Sequence, residues 1–455
     1  MGDTRLTRRG FLKGAIAIGG GLATFGGIDS IGRLAQAQLR PDAPDRYYIF
    51  CYFGGGWDVL LALDPRDPRD FPSTTYSMQR TRIQPAYDQV NLMDADIIRV
   101  NEELAFGPYI GDLAMHADKL AVVRGLNMET LAHEGGRRRF ITGKPPTGNM
   151  ARGSSGATWL AGHLGRDQLI PNLSLGVESY NKDLPNYATA LRVNSIPDLL
   201  RALRPADPIL DPRLTRQISA ALGDAADCPT AKQSPSWQVA EYARVKGADM
   251  VGRNVSAEFE FGANTVEMEA LRDHYRFNRV DGSSGISAAF AVRAITTGVS
   301  RVVSVNLTGG LDTHGPEWAN SQGPNQMRGW NAIARMVEDL QSRDFGDGSS
   351  WLDHTTIVAF SEFSRTPLLN ARGGRDHHLT NSCLLVGGGI KGGTVIGASS
   401  DVAMGSLAID LRTGRPSPDG EVLKPEHVLR TLFDEVGIDQ TPDLRVGGIP
   451  ALLKS

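Results

Sequence analysis

Seven acidic and histidine residues lie directly beside predicted strands, in the loops where a strand ends or begins. The first four follow a strand and the last three precede one: Asp58, Asp312, His314, Glu362, Asp376, His377 and His378. Carboxylate oxygens and imidazole nitrogens together form a ligand set for divalent metals. Two ions a few ångströms apart would use about this many ligands. The pattern therefore predicts a centre for divalent metal, with Zn²⁺, Mn²⁺, Mg²⁺ and Ca²⁺ as the candidates.

Single members of this set also have ordinary interpretations. Asp312 can cap a turn, since aspartate is frequent in turns, and Glu362 can pair with Arg365. His377 and His378 can be plain surface loop residues. We favour a metal centre because the segments that carry these residues all border strands.

An alternation of apolar strands and amphipathic helices would position these loops. Strands are predicted at 47–53, 120–123, 302–307, 355–360 and 383–386. Helices are predicted at 133–141, 158–164, 286–297, 326–340 and 425–436. This alternation is typical of an α/β fold with a mostly parallel sheet covered on both faces. Ligands bind beyond the carboxyl ends of such strands, where most of these residues fall.

The helix predicted at 133–141 begins with His133 and closes at Thr142-Gly143. A helix N-terminus attracts anions because its first N–H groups lack partners in the helix. Arg137, one turn further on, begins a run of three arginines that could neutralise an anionic substrate. A basic run is more often a solvated surface. His133 and Arg137 are the candidate catalytic residues.

The N-terminus has the layout of a twin-arginine signal peptide. The run TRRGFLK at 7–13 is followed by an apolar stretch at 15–28 and by a small-residue cleavage site, AQA, at 35–37. These three parts define a secretory signal, and the arginine pair is the address of the twin-arginine route. The apolar stretch is far shorter than the ~20 residues that span a bilayer. We therefore expect the twin-arginine translocase to export a folded chain to the periplasm or cell surface, with 38–455 as the mature domain.

The charge of the mature chain argues against nucleic acid as a partner. The whole chain has a formal net charge of −3. Residues 1–37 contribute five basic and two acidic side chains, so removing their net +3 leaves −6. Nucleic-acid binding rests on Lys and Arg that neutralise phosphates. Three cysteines do not support a disulfide scaffold, and no second apolar run approaches membrane-spanning length.

The motifs resemble those of a bacterial family known as domain of unknown function number fifteen-oh-one. They occur in the order GGGWD at 54–58, LDTHG at 311–315, SEFSRTP at 361–367, GGRDHH at 373–378 and GGGIKGGTVIG at 387–397. That family is placed in the alkaline phosphatase and sulfatase superfamily. The resemblance implies a three-layer α/β/α sandwich with a mostly parallel sheet and a metal centre. Residues 180–285 contribute little to it, and their prolines and weak periodicity favour an inserted cap.

By the same resemblance, Asp58 would be the ligand after the first strand. Asp312 and His314 would serve one metal, and Glu362 would stand where an aspartate is usual. His377 would be a late ligand, with Asp376 or His378 supporting it.

His133 falls at the position of the superfamily's nucleophile, followed by Arg137 at the matching spacing. The histidine leaves three roles open: a third metal ligand, a phosphoryl acceptor, or a remnant of a lost nucleophile in a site that only binds. The first two roles predict an exported metal-dependent hydrolase of phosphate or sulfate esters, with an anionic ester as substrate. The third predicts a non-catalytic envelope binding or assembly protein that retains the fold.

Overall fold

The computed structural model describes residues 43–148, 150–182, 184–204, 211–278, 283–438 and 444–454. The predicted signal peptide at 1–37 lies outside the described residues. The chain divides into two compact units. Among the described residues, the smaller unit contains Val193–Glu260, and the larger unit contains the rest. The structure has no helix, within the described ranges, that is long and apolar enough to cross a membrane.

A single sheet of eight strands forms the centre of the larger unit. The strands are β1 (Tyr47–Phe53), β2 (Leu120–Asn127), β3 (Asn172–Leu175), β4 (Leu191–Val193), β5 (Val302–Thr308), β6 (Thr355–Phe360), β7 (Thr380–Gly387) and β8 (Thr394–Ile396). Their spatial order is β8-β2-β7-β6-β1-β5-β3-β4. Short strands outside this sheet pair at Ser364–Arg365 with His377–His378, at Ile98–Arg99 with Ala105–Phe106, and among Ala408–Asp410, Arg415–Pro416 and Glu421–Val422.

Strand direction brings several loops to the same edge of the sheet. β1 pairs in parallel with β5 and β6, β3 with β5, and β8 with β2. β7 runs antiparallel to both of its neighbours, β2 and β6. The beginning of β7 therefore lies at the edge where β1, β2, β5 and β6 end. The predicted α/β class with a mostly parallel sheet is confirmed.

Helices pack on both faces of this sheet. Tyr52 lies opposite Phe360 in the register of β1 and β6, and the ring of Phe140 stacks on Phe360 at 4.3 Å. Phe53 follows Tyr52 and points to the other face, since side chains alternate along a strand. Its ring lies 4.3 Å from that of Trp330. Burial on both faces explains why β1 is an uninterrupted apolar run, YYIFCYF.

The helices of the larger unit match the sequence predictions where those were made. They are Thr75–Thr81, His133–Thr142, Gly156–Leu164, Val266–Tyr275, Ser284–Thr296, Gly323–Ser342, Trp351–His354 and Pro425–Glu435.

The smaller unit is helical. Its α-helices are Ile196–Leu203, Pro212–Ala226, Pro229–Gln233 and Pro235–Gly252. The segment predicted as a cap, 180–285, overlaps this unit but is wider, because the chain from Phe261 onward belongs to the larger unit. A capping role for this unit stays a prediction.

Candidate metal centre

Four segments deliver polar side chains to the carboxyl edge of the sheet. β2 leads into the helix that begins with His133, β5 leads to Asp312 and His314, and β6 leads to Glu362. The segment before the antiparallel β7 supplies Asp376 and His377. This is the edge at which α/β sheets bind ligands.

Three imidazoles converge on one carboxylate oxygen. The Oδ1 atom of Asp312 lies 3.0 Å from Nε2 of His314, 3.4 Å from Nε2 of His133 and 3.5 Å from Nε2 of His377. His133, Asp312 and His377 offer ligand atoms that all lie within 4.8 Å of one another. Nε2 of His314 lies 3.0 Å from Nε2 of His377. We call these four residues the imidazole cluster.

Each imidazole is anchored through its other nitrogen. Nδ1 of His133 lies 2.8 Å from Glu362 Oε1, and Nδ1 of His314 lies 2.8 Å from Asp376 Oδ1. Nδ1 of His377 lies 2.6 Å from the carbonyl oxygen of Leu131. A carbonyl or an ionised carboxylate can only accept a hydrogen bond. These partners therefore assign a proton to Nδ1 of each ring and turn Nε2 toward Asp312, and metal-binding histidines bind the ion through the second ring nitrogen in the same way.

Arg365 supports this tautomer of His314. Its Nη1 lies 3.3 Å from Nε2 of His314, and a guanidinium can only donate. The Arg365 side chain is fully buried, and its Nη2 donates to Asp312 Oδ1 at 2.6 Å. Although partial burial opposes it, this bond holds the pKa of Asp312 at about 2. The half-exposed Asp312 carboxylate is therefore ionised and held in place.

Glu362 is a buried carboxylate that positions His133. Its Oε1 accepts from the backbone N–H of Gly55 at 2.9 Å and its Oε2 from the hydroxyl of Ser361 at 2.9 Å. Burial opposes ionisation, but the bonds from His133 and Ser361 keep the pKa of Glu362 below its ordinary value. Glu362 in turn raises the pKa of His133, while burial lowers the pKa of His377. Glu362 thus contacts the ring of His133 and holds it in place; it is the partner of a candidate ligand.

Two glycines allow the loops to approach this closely. Gly55 has φ +114°, and a Cβ there would lie 2.6 Å from the backbone nitrogen of Asp312. A Cβ on Gly136 would lie 2.8 Å from the carbonyl carbon of Glu362 and closer still to its oxygen. Any larger residue at position 136 would push the helix of His133 away from Glu362.

Asp58 does not join the imidazole cluster, contrary to the role implied by the resemblance. Its side chain is fully buried; Oδ2 lies 2.9 Å from Arg375 Nε and accepts from Trp318 Nε1 at 2.9 Å. Its Oδ1 accepts from the backbone N–H of Leu60 at 3.1 Å and caps a short 3₁₀ helix. The chain turns inward after the glycine loop, so Asp58 stabilises the loop instead of facing the edge of the sheet.

His378 and Arg137 also point elsewhere. Side chains alternate along the short strand His377–His378, and Nδ1 of His378 lies 3.2 Å from the carbonyl oxygen of Thr380. Arg137 donates from Nη2 to Glu178 Oε1 at 2.8 Å. The next arginine in the run pairs with the same glutamate. Arg137 is therefore part of an ion-pair network beside the helix.

Three contributors were missed by the sequence analysis. Arg365 was considered only as a partner of Glu362, but it binds Asp312. The ring of Phe363 is fully buried and lies 4.2 Å from the ring of His377 and 4.8 Å from that of His133. The third contributor is the carbonyl of Leu131, which no side-chain pattern can reveal. Arg365 and Phe363 sit inside the SEFSR motif, which was the available signal.

The fold and the donor set define an α/β protein with a candidate metal centre at the carboxyl edge of its sheet. A family model described as "Protein of unknown function (DUF1501)" matches residues 46–410. The chain therefore belongs to the DUF1501 family, as its motifs predicted, and the matched span contains the whole imidazole cluster. A comparison with curated proteins found no match.

Proposed function

We propose that this protein is an exported, metal-dependent hydrolase of phosphate or sulfate esters. The observation that carries the proposal is the convergence of three Nδ1-anchored imidazoles and an ionised Asp312 at the ligand-binding edge of the sheet. The proposed fold is the alkaline phosphatase-like three-layer sandwich. A mostly parallel sheet with helices on both faces supports it.

The chain's own residues would bind and orient the metal and the ester. His133, His314, His377 and Asp312 would hold a divalent ion, which when bound supplies a Lewis acid for activating water and stabilising anionic charge. Glu362 fixes the ring of His133. The helix that follows has no side-chain cap at its N-terminus, so its first N–H groups are available to an anionic ester.

His133 supports the metal role better than the phosphoryl-acceptor role. Its Nδ1 is taken by Glu362, and its Nε2 is directed at Asp312, 3.4 Å away. Both nitrogens are thus engaged in the arrangement that metal-binding histidines adopt. An attacking nucleophile would need one nitrogen free for the substrate.

Export by the twin-arginine translocase to the periplasm or cell surface belongs to the same proposal. Its support is the arginine pair Arg8-Arg9 before an apolar stretch and a small-residue site. We expect replacement of both arginines by lysine to leave the precursor in the cytoplasm. Normal export of that double variant would contradict this part of the proposal.

The enzymatic test uses the mature chain, stripped with a chelator and reloaded separately with Zn²⁺, Mn²⁺, Mg²⁺ or Ca²⁺. We expect hydrolysis of at least one class among aryl phosphates, phosphodiesters and sulfate esters. His133→Ala should lose metal and lose part of the turnover, while a phosphohistidine mechanism would keep the metal and lose all turnover. If no ion produces turnover on any ester, the hydrolase proposal is wrong.

A second candidate is a non-catalytic envelope binding or assembly protein. One observation favours it: the helix start that carries the nucleophile in the superfamily has His133 here, which lacks a hydroxyl or thiol. Metal binding without turnover on the ester panel would support this candidate.

A further inference from the structure

We infer that the imidazole cluster takes a single ion of the late first-row divalent class, such as Zn²⁺ or Co²⁺, with His314 as its third nitrogen ligand, and that it discriminates against Mg²⁺ and Ca²⁺. The inference concerns the site on which the proposed function rests, but it does not require hydrolase activity. Of the four candidate ions, it favours Zn²⁺ over Mg²⁺ and Ca²⁺. It also replaces the expectation of two bound ions with one.

The donor atoms favour this class of ion. Three of the four groups that converge are imidazole nitrogens, and only Asp312 offers oxygen. Imidazole suits zinc, copper, iron and nickel, whereas magnesium and calcium take carboxylates, carbonyls and water. Calcium takes six to eight oxygen ligands, and magnesium demands octahedral geometry.

The spacing of the donors fits an ion of zinc's size. Bonds of about 2.0–2.1 Å in a tetrahedral site place neighbouring ligand atoms about 3.3 Å apart. The separations from Asp312 Oδ1 to the three Nε2 atoms are 3.0, 3.4 and 3.5 Å. The Nε2 atoms of His314 and His377 are 3.0 Å apart. Asp312, His314 and His377 are therefore spaced as ligands of one small ion, and the ligand atoms of His133, Asp312 and His377 lie within 4.8 Å of one another.

The Nε2 atoms of His314 and His377 lie 3.0 Å apart, and Arg365 Nη1 faces the His314 nitrogen at 3.3 Å. Asp376 and the Leu131 carbonyl take the Nδ1–H groups of these rings, so both Nε2 atoms carry lone pairs when the rings are neutral. Two lone pairs at 3.0 Å repel each other unless a proton or a metal ion lies between them. A metal ion satisfies both nitrogens at once.

The other carboxylates that were predicted as ligands already have partners. Asp58 binds Arg375 and Trp318. Glu362 binds His133, and Asp376 binds His314.

The charge of the site fits one divalent ion. With neutral imidazoles, the carboxylates of Asp312, Glu362 and Asp376 and the guanidinium of Arg365 leave a formal charge of minus two. Arg372 lies 3.7 Å from Asp376 but is 66% exposed, so water and salt screen its charge. One divalent ion neutralises the site, and a second would leave excess positive charge in it.

The experiment measures ion content and affinity directly. The chelator-treated mature protein is titrated with Zn²⁺, Co²⁺, Mg²⁺ and Ca²⁺ by calorimetry, and elemental analysis follows dialysis. We expect one zinc per chain, one cobalt per metal-free chain with visible absorption bands of a nitrogen-rich site, displacement of that cobalt by zinc, and no competition from millimolar Mg²⁺ or Ca²⁺. A stoichiometry of two, or equal binding of Mg²⁺, would overturn the inference.

His314→Ala and His378→Ala form a matched pair, because His378 adjoins a ligand but faces Thr380. Loss of an outer partner alone costs about 10–100-fold in metal affinity, so loss of the ligand His314 should cost at least about 100-fold. His378→Ala should change it by less than about twofold. Equal effects of both variants would remove His314 from the site. Circular dichroism checks folding, and His314→Gln, which keeps the volume, serves if the alanine variant unfolds.

Failure of the inference and failure of the hydrolase proposal are separable. Tight zinc binding without ester turnover would leave the inference standing and remove the hydrolase. Turnover supported by Mg²⁺ with two ions bound would overturn the inference and support the hydrolase proposal.

Discussion

Replacement of Gly136 by alanine tests whether the close approach of a helix to a loop sets the geometry of the imidazole cluster. The added Cβ would lie 2.8 Å from the carbonyl carbon of Glu362, where ordinary contact begins at 3.4 Å. The carbonyl oxygen would lie closer still, so the helix and the loop must separate by more than about 0.6 Å, since a packed interior has no spare volume. The same movement stretches the 2.8 Å bond between His133 and Glu362 beyond about 3.4 Å, outside the usual limit for such a bond.

Two opposing contributions set the stability change. Overpacking costs about 1–3 kcal/mol, and alanine in place of glycine in a helix recovers up to about 1 kcal/mol. We expect Gly136→Ala to lower the free energy of unfolding by up to about 3 kcal/mol. Weakening the partner of a metal-binding histidine should lower zinc affinity about tenfold or more.

Gly135→Ala is the control, because it has the same helix propensity gain one residue away. Its Cβ would meet side-chain atoms alone: the Thr130 hydroxyl at 3.0 Å, the Ala132 methyl at 3.4 Å and Pro146 Cγ at 3.8 Å. We expect it to be neutral or slightly stabilising and to bind zinc like the wild type. Urea unfolding without metal gives stability, and zinc calorimetry gives affinity. If both variants have the same zinc affinity, the packing of this helix against Glu362 does not position His133.

Three further outcomes follow from the contacts. Asp58→Asn should destabilise the protein by about 3–5 kcal/mol, because the buried guanidinium of Arg375 loses its partner. The folded variant should keep its zinc affinity in calorimetry. A large loss of zinc affinity would restore Asp58 as a ligand. Asp376→Asn should weaken zinc binding about 10–100-fold by loosening His314, and an unchanged dissociation constant would contradict that. The pKa of Glu178 is held at about 2 by two arginines and a tyrosine, against the opposing effect of burial. The stabilising contribution of Glu178 is present above its ordinary pKa of 4.5 and is lost as pH falls toward 2. The Tm advantage of the wild type over Glu178→Gln should therefore shrink over that pH range. A Tm difference that is independent of pH would refute this prediction.

The strands at the centre of the sheet were predictable because burial on both faces leaves a simple signal. The predicted bounds 47–53 and 355–360 agree with β1 and β6. β2 was predicted to end at 123 but continues to Asn127, because Arg124 interrupts the apolar run. Its guanidinium donates to the carbonyl oxygens of Leu63 and Ala105, so a charged residue is accommodated inside the strand.

Proline misled the analysis of the smaller unit. Its prolines and weak periodicity favoured an inserted cap without revealing its helices, yet four prolines occupy the first turns of helices, three of them directly after the capping residues Asp211, Cys228 and Ser234. A proline at that position loses no hydrogen bond, because the N–H it lacks has no partner in the helix.

The sequence predicted which segments meet at the edge of the sheet. It could not predict which of their side chains face a common point there. Asp58, Glu362 and Asp376 all border strands, yet one turns inward and two lie behind imidazoles. Whether a carboxylate contacts an ion or a histidine depends on the local course of the loop that carries it. Hydrophobic periodicity carries no information at that scale.

The central position of β1 has a consequence for synthesis of the chain. Both of its neighbours, β5 and β6, come from segments about 250 or more residues later. At a synthesis rate of about 5–20 residues per second, the first strand waits roughly 13–50 s for its first neighbour. During that time YYIFCYF is an unpaired, uncharged, aromatic segment of the kind that associates with other chains. We therefore expect nascent chains to need protection from association at this segment. A charged residue in β1 would slow that association, but it would also destabilise the centre of the sheet, where β1 is buried on both faces.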